Sequence, residues 1–105
     1  MDAQKYTYRV IWSEEDGEFI GLCAEFPSLS WLAATQTEAL SGIVDLVKGI
    51  LADMAEHGEE IPVPLSLRSF SGRFMVRTTP ETHRRLTIRA EESRVSLNRY
   101  INSML

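Results

Sequence analysis

RFMVRTTPETHRRLTIRAEESRVSLNRYINSML, running from Arg73 to Leu105, decides how the chain folds. Its opening residues alternate: Phe74, Val76 and Thr78 fall on one face of an extended strand, Arg73, Met75 and Arg77 on the other. A one-residue slip in register would bury two guanidinium groups, so the facing is well specified. Thr79-Pro80-Glu81-Thr82 then reads as a helix start, with Thr79 as N-cap and Pro80 at the first helical position, where its missing N–H costs nothing. The spacing predicts a helix to about Ser93, although its stripe of His83, Leu86, Thr87 and Ala90 is thin for a soluble helix. Ser96 is the N-cap of a second helix, whose apolar face is Leu97, Tyr100, Ile101, Met104 and Leu105.

A lone strand of this length has no partner, and an isolated pair of short helices is marginal in water. The physical solution is a homodimer. Arg73 to Thr78 pairs antiparallel with the same strand of another copy, over a four-helix core built by both chains. Such a ribbon presents two copies each of Arg73, Met75 and Arg77 on one face, suited in width and charge to the DNA major groove.

FMVRTTPETHRRL followed by VSLNRYI resembles the ribbon-helix-helix tail of HicB-type antitoxins, and the resemblance spans essentially the whole C-terminal third. Apolar alternation, a Thr-Pro helix start and a Ser-Leu-Asn opening of the next helix occur in the family's order.

Charge divides the chain in the same place. Residues 1–70 carry twelve acids against Lys5, Arg9, Lys48 and Arg68, a balance of −8. Residues 71–105 carry seven arginines against Glu81, Glu91 and Glu92, a balance of +4. An acidic head on an arginine-rich tail points to one basic and one anionic partner, although charges can also segregate by accident in a short chain. With 105 residues, 44% of them apolar, the chain can bury one modest core plus a small appended module. Its single cysteine excludes an internal disulfide. No apolar run suggests secretion or a membrane span, so the expected location is cytoplasmic and no membrane partner is expected.

The head opens with Tyr6 to Ser13, a half-buried strand in which Tyr6, Tyr8, Val10 and Trp12 alternate with Thr7, Arg9, Ile11 and Ser13. Glu14-Glu15-Asp16-Gly17 supplies a hairpin turn, Glu18 to Glu25 returns, and Ser30 to Ala34 forms a short third strand. Thr35 with Glu38 fits a capping box, and Gly58 marks the helix stop. Between them Leu40, Val44, Val47, Leu51 and Met54 make an apolar stripe, flanked by Ala39, Ile43, Leu46 and Ile50, that packs on a sheet. Ile61 to Leu67 resumes as an extended segment, restricted by Pro62 and Pro64 to an edge or the end of a sheet. The expected class is therefore α+β: a β-β-β-α-β head over residues 1–68, a hinge at 69–72, and a β-α-α module over 73–105.

The head also resembles that of HicB antitoxins, a truncated ribonuclease-H-like fold, in DGEFIG, the Pro27 region, Thr35-Gln36-Thr37-Glu38-Ala39-Leu40 and Ile61-Pro62-Val63-Pro64. It departs from the family at Pro27-Ser28 and Ala33-Ala34, where glycines are usual. Catalysis is not expected. Ribonuclease-H chemistry needs carboxylates converging on two metal ions, and Tyr6 to Ser13 contains no acid. Cys23 has no nearby histidine and reads as a small core residue. Neither His57 nor His83 has a Cys or His at ligand spacing, so no zinc or other cofactor is expected.

What the resemblance implies is a type II antitoxin. Its head sequesters a small basic ribonuclease toxin of HicA type, and its dimeric tail represses its own operon by binding operator DNA in the major groove. Arg73 and Arg77 are expected to read guanine edges and Met75 a thymine methyl, while the backbone at Ser96, Leu97 and Asn98 clamps phosphate. Arg84, Arg85, Arg89, Arg94 and Arg99 read more simply as solvated helix charges. The alternative is an orphan ribbon-helix-helix regulator or interaction module without a toxin. Pairing of dimers into tetramers through their heads is left open.

Overall fold

The computed structural model describes residues 1–105, which divide into two compact units, Met1–Phe70 and Ser71–Leu105. The first begins with a 3-10 turn, Ala3–Lys5, capped by Asp2, whose carboxylate accepts from the Gln4 N–H at 2.9 Å. Three strands follow: β1 (Tyr8–Ser13), β2 (Glu18–Cys23) and β3 (Ser30–Ala33). They form one antiparallel sheet in the order β1-β2-β3, with Ile11 opposite Ile20 and Ile20 opposite Leu32. Gly17 closes the first hairpin at φ +63, the left-handed conformation that the turn demands.

Helix α1 (Gln36–Glu56) lies on one face of the sheet. Thr35 Oγ1 accepts from the Glu38 N–H at 3.2 Å, as the capping box predicts. At the other end Gly58 adopts φ +66, and Glu59 N–H donates to Met54 O at 2.9 Å, a Schellman stop. The buried residues are Ala39, Ile43, Val47 and Leu51, all within the expected apolar face; Val44 and Met54 are half-buried and Leu40 is 44% exposed. Two glycines let the helix approach the sheet closely. A Cβ on Gly21, in the middle of β2, would strike the Ala39 carbonyl and lie 2.8 Å from Ile43 Cγ2, so the helix settles there. A Cβ on Gly42 would strike the Trp31 indole, which lies against the helix from β3. Cys23, Tyr6 and Ala3 complete the core with Ile43, Val47 and Leu51.

The expected fourth strand, Ile61 to Leu67, is absent from the sheet, so the head is β-β-β-α. Pro62 and Pro64 cannot donate to a ladder, and the segment is held by side chains and ends in a 3-10 turn, Leu65–Leu67. Tyr6 Oη donates to Pro62 O at 2.6 Å, Ser66 Oγ donates to Lys5 O at 2.6 Å, and the Leu65 N–H donates to Glu25 Oε2 at 2.8 Å. Glu25 also accepts from the Thr7 N–H at 2.9 Å and from the Thr7 hydroxyl at 3.1 Å. That role explains why β2 stops at Cys23 and β1 begins at Tyr8, each two residues short of the expected strand.

In the second unit, α2 (Pro80–Glu92) starts as expected, with Thr79 Oγ1 accepting from the Thr82 N–H at 3.2 Å and Pro80 in the first turn. It stops in a second Schellman geometry: Val95 N–H donates to Ala90 O at 3.1 Å and Arg94 N–H to Glu91 O at 3.0 Å. Arg94 takes the left-handed position at φ 57 that glycine usually fills. Ser96 Oγ then accepts from the Arg99 N–H at 3.1 Å to cap α3 (Leu97–Ser103). Ala90 is the one buried residue of this unit.

Candidate nucleic-acid interface

Arg73 to Thr78 belongs to no strand or helix of its own chain, and every one of its residues is exposed. Phe74, Met75 and Val76 are 77%, 79% and 72% exposed, so neither face of the alternating segment is covered. Its approach is shaped by Gly72 at φ +82 and by Ser71, whose hydroxyl accepts from the Arg73 N–H at 3.1 Å. Alongside lie two open grooves. One, of about 560 Å³, runs from Val76 and Pro80 past His83 and Leu86 to Leu97 and Ile101. The other, of about 750 Å³, joins Arg73, Phe74 and Val76 to Leu97, Ile101 and Leu105. Val76, Leu97 and Ile101 line both, and they are the residues whose spacing marked an apolar face. His83 stands at the edge of the first groove and is exposed in the single chain.

All seven arginines of this unit, Arg73, Arg77, Arg84, Arg85, Arg89, Arg94 and Arg99, are exposed. None is paired with a carboxylate; the one contact of this kind in the molecule, His57 Nδ1 to Asp53 Oδ1 at 3.4 Å, lies in the head. A solvated surface normally mixes signs, so unpaired guanidiniums concentrated on 35 residues form a field that attracts anions. Ser96, Leu97 and Asn98 stand at the start of α3, where the first N–H groups of a helix lack helical acceptors.

The head carries no comparable chemistry. No three His, Cys, Asp or Glu side chains lie close enough to share a metal ion. Burial pushes the Cys23 thiol up, with the neighbouring Glu25 carboxylate acting in the same direction, against a nucleophilic role. Burial, then the nearby Cys23 and Glu25, pushes the Tyr8 hydroxyl up to about 12. For Glu25 burial opposes the charged form, yet donors from the Leu65 and Thr7 backbone and the Thr7 hydroxyl outweigh it and hold the carboxyl below its ordinary value. Its bonds make Glu25 a staple of the fold. The sequence pattern places Glu25 at the end of the second strand, and nothing in that pattern signals the two segments its carboxylate joins.

A feature missed altogether is the outer face of the sheet. Alternation puts Ile11, Ile20, Leu22 and Leu32 opposite the α1 face, with Ile11 and Leu32 41% and 43% exposed. The signal was present in Phe19-Ile20-Gly21-Leu22-Cys23, where apolar residues occupy both parities of the strand.

Together these features define a class: a small α+β unit, a three-stranded sheet backed by a helix, joined to an arginine-rich extended segment and helix pair. The HicB family model matches residues 56–105, which span the end of α1, the proline segment and the whole second unit. That match supports a HicB-family protein. No curated protein and no solved structure matches the chain significantly. No helix is long and apolar enough to cross a membrane.

Proposed function

We propose that this chain is the antitoxin of a HicA/HicB-type toxin–antitoxin system, holding a small basic ribonuclease toxin with Met1–Phe70 and repressing its own operon with Ser71–Leu105. The family match suggests an antitoxin, and that family is generally non-enzymatic. One observation carries the DNA-binding half. An alternating segment with Phe74 and Val76 on one face and Arg73, Met75 and Arg77 on the other is uncovered on both, beside unfilled apolar grooves.

A second copy covers the apolar face and pairs the open backbone edge at once. Antiparallel pairing of Arg73–Thr78 across a two-fold axis turns Phe74 and Val76 onto Leu97, Ile101 and Leu105 and closes the backbone ladder that a single chain leaves open. The opposite face of the ribbon then carries four guanidiniums and two thioethers. Arg73 and Arg77 donate bidentate pairs to guanine O6 and N7, and Met75 packs on a thymine methyl. The first N–H groups of α3, at Leu97 and Asn98 behind the Ser96 cap, hold the flanking phosphates and set the register without reading sequence. The acidic head supplies long-range attraction for a toxin that must itself carry positive charge to hold RNA.

Co-expression with the HicA-type protein encoded by an adjacent short reading frame tests the toxin half. Growth rescued by this chain, with the two proteins co-purifying as a stoichiometric complex, is the expected outcome. Toxicity unrelieved by a well-folded chain refutes it.

A further inference from the structure

The antiparallel sheet has one face on α1 and the other in solvent, where polar side chains are the rule. Here the solvent face is apolar along its centre. Ile11, Ile20 and Leu32 stand directly opposite one another across all three strands, with Leu22 beside them. One pleat further along the strands, past the Ser13–Glu18 pair, lies the β1–β2 turn, where Glu14, Glu15 and Asp16 are exposed and Glu18 at its edge is half-buried. None of these carboxylates is ion-paired. Arg9 is the single cation on the face.

We infer that this outer sheet face is the toxin-docking surface of the head: Ile11, Ile20, Leu22 and Leu32 form the dry centre and the acids of the β1–β2 turn form the rim that receives a basic protein. The inference rests on the antitoxin reading and adds the surface to it. An apolar centre with a charged rim is the anatomy of a specific protein interface. The sheet face, about 20 by 14 Å at standard strand rise and spacing, is smaller than the roughly 800 Å² per partner of a stable complex. Contact must therefore extend onto the rim, and the rim chooses the occupant. Against a second copy of this head, four carboxylates would meet four more with only one arginine from each side. Against a basic ribonuclease the same carboxylates gain partners.

The test uses the whole chain, residues 1–105, and a HicA-type protein encoded beside it, as a variant without toxicity. Ile11→Arg and Leu32→Arg alter exposed positions and place positive charge before a basic partner; each weakens binding by about tenfold or more and the pair by about a hundredfold. Ile11→Thr with Leu32→Thr, which adds no charge, weakens binding in the same direction and serves if the arginine variants melt early. Glu15→Lys with Glu18→Lys slows association and flattens its salt dependence. Unchanged toxin affinity in the folded face variants overturns the surface while leaving the antitoxin reading in place. Failure of the wild-type chain to bind overturns both. Loss of a tetramer in Leu32→Arg with toxin binding intact shows that the face belongs to a second copy, and overturns the inference.

Discussion

Val76→Ala isolates the apolar side of the proposed ribbon. Val76 is 72% exposed in the single chain, surface that the proposed pairing with a second copy would remove from water. Truncation deletes about two methylene equivalents, worth about 0.8 kcal/mol each when fully buried, or about 1.15 kcal/mol per chain at this degree of exposure. Two-fold symmetry doubles the loss to about 2.3 kcal/mol per dimer, roughly a fiftyfold rise in the dimer dissociation constant before any cavity contribution. Sedimentation equilibrium across a range of concentrations measures that constant directly. Met75→Ala is the matched control, since Met75 is as exposed, at 79%, but lies on the opposite face. It leaves the dimer constant unchanged and weakens DNA binding. A monomer at all concentrations refutes the reasoning, and so does a pattern in which Met75→Ala dissociates the dimer while Val76→Ala does not.

Glu25 anchors the start of β1 and the segment after α1, so Glu25→Ala costs about 2 kcal/mol in denaturant melts at neutral pH through its lost charge-assisted hydrogen bonds. Its carboxyl sits below its ordinary value of 4.5 when folded. Its contribution is therefore complete above that value and disappears as pH falls through it toward the lowered one, so the gap between wild type and variant closes in acid and stays constant above neutrality. Gly21→Ala forces the helix off the sheet and lowers stability by about 3 kcal/mol. Gly49→Ala, where an added Cβ meets nothing within 4 Å, raises it by up to about 1 kcal/mol. Equal effects of the two glycine substitutions would contradict the close approach of α1 to β2.

Local signals carried most of the elements. Thr35, Thr79 and Ser96 each cap the helix that sequence alone assigns to them, because capping is decided within four residues. Gly17 and Gly58 sit in the left-handed positions that their turns need. What escaped depends on contacts between distant segments. Which residues of the expected apolar face of α1 are fully buried depends on two glycines that let the helix meet β2 and Trp31, and helical periodicity cannot report how near a neighbour comes. Ile61 to Leu67 has the composition of a strand, but its fixing points are Tyr6, Lys5 and Glu25, some 40 to 61 residues away in sequence. Arg94 at positive φ shows the opposite limit, since an arginine gives no hint of a left-handed stop. The candidate DNA-facing residues Arg73, Met75 and Arg77 come from alternation and charge alone, and all three are exposed in the single chain.

The central claim, that the second unit reads DNA as a dimer, is tested most directly by titrating the chain onto a duplex taken from immediately upstream of its own reading frame across a series of salt concentrations. The account predicts an affinity that falls steeply and log-linearly with salt. Arg73→Ala or Arg77→Ala costs about 1 to 3 kcal/mol of binding and relaxes base preference, with the dimer intact. Binding that is absent, indifferent to salt, or unchanged in both arginine variants would contradict it.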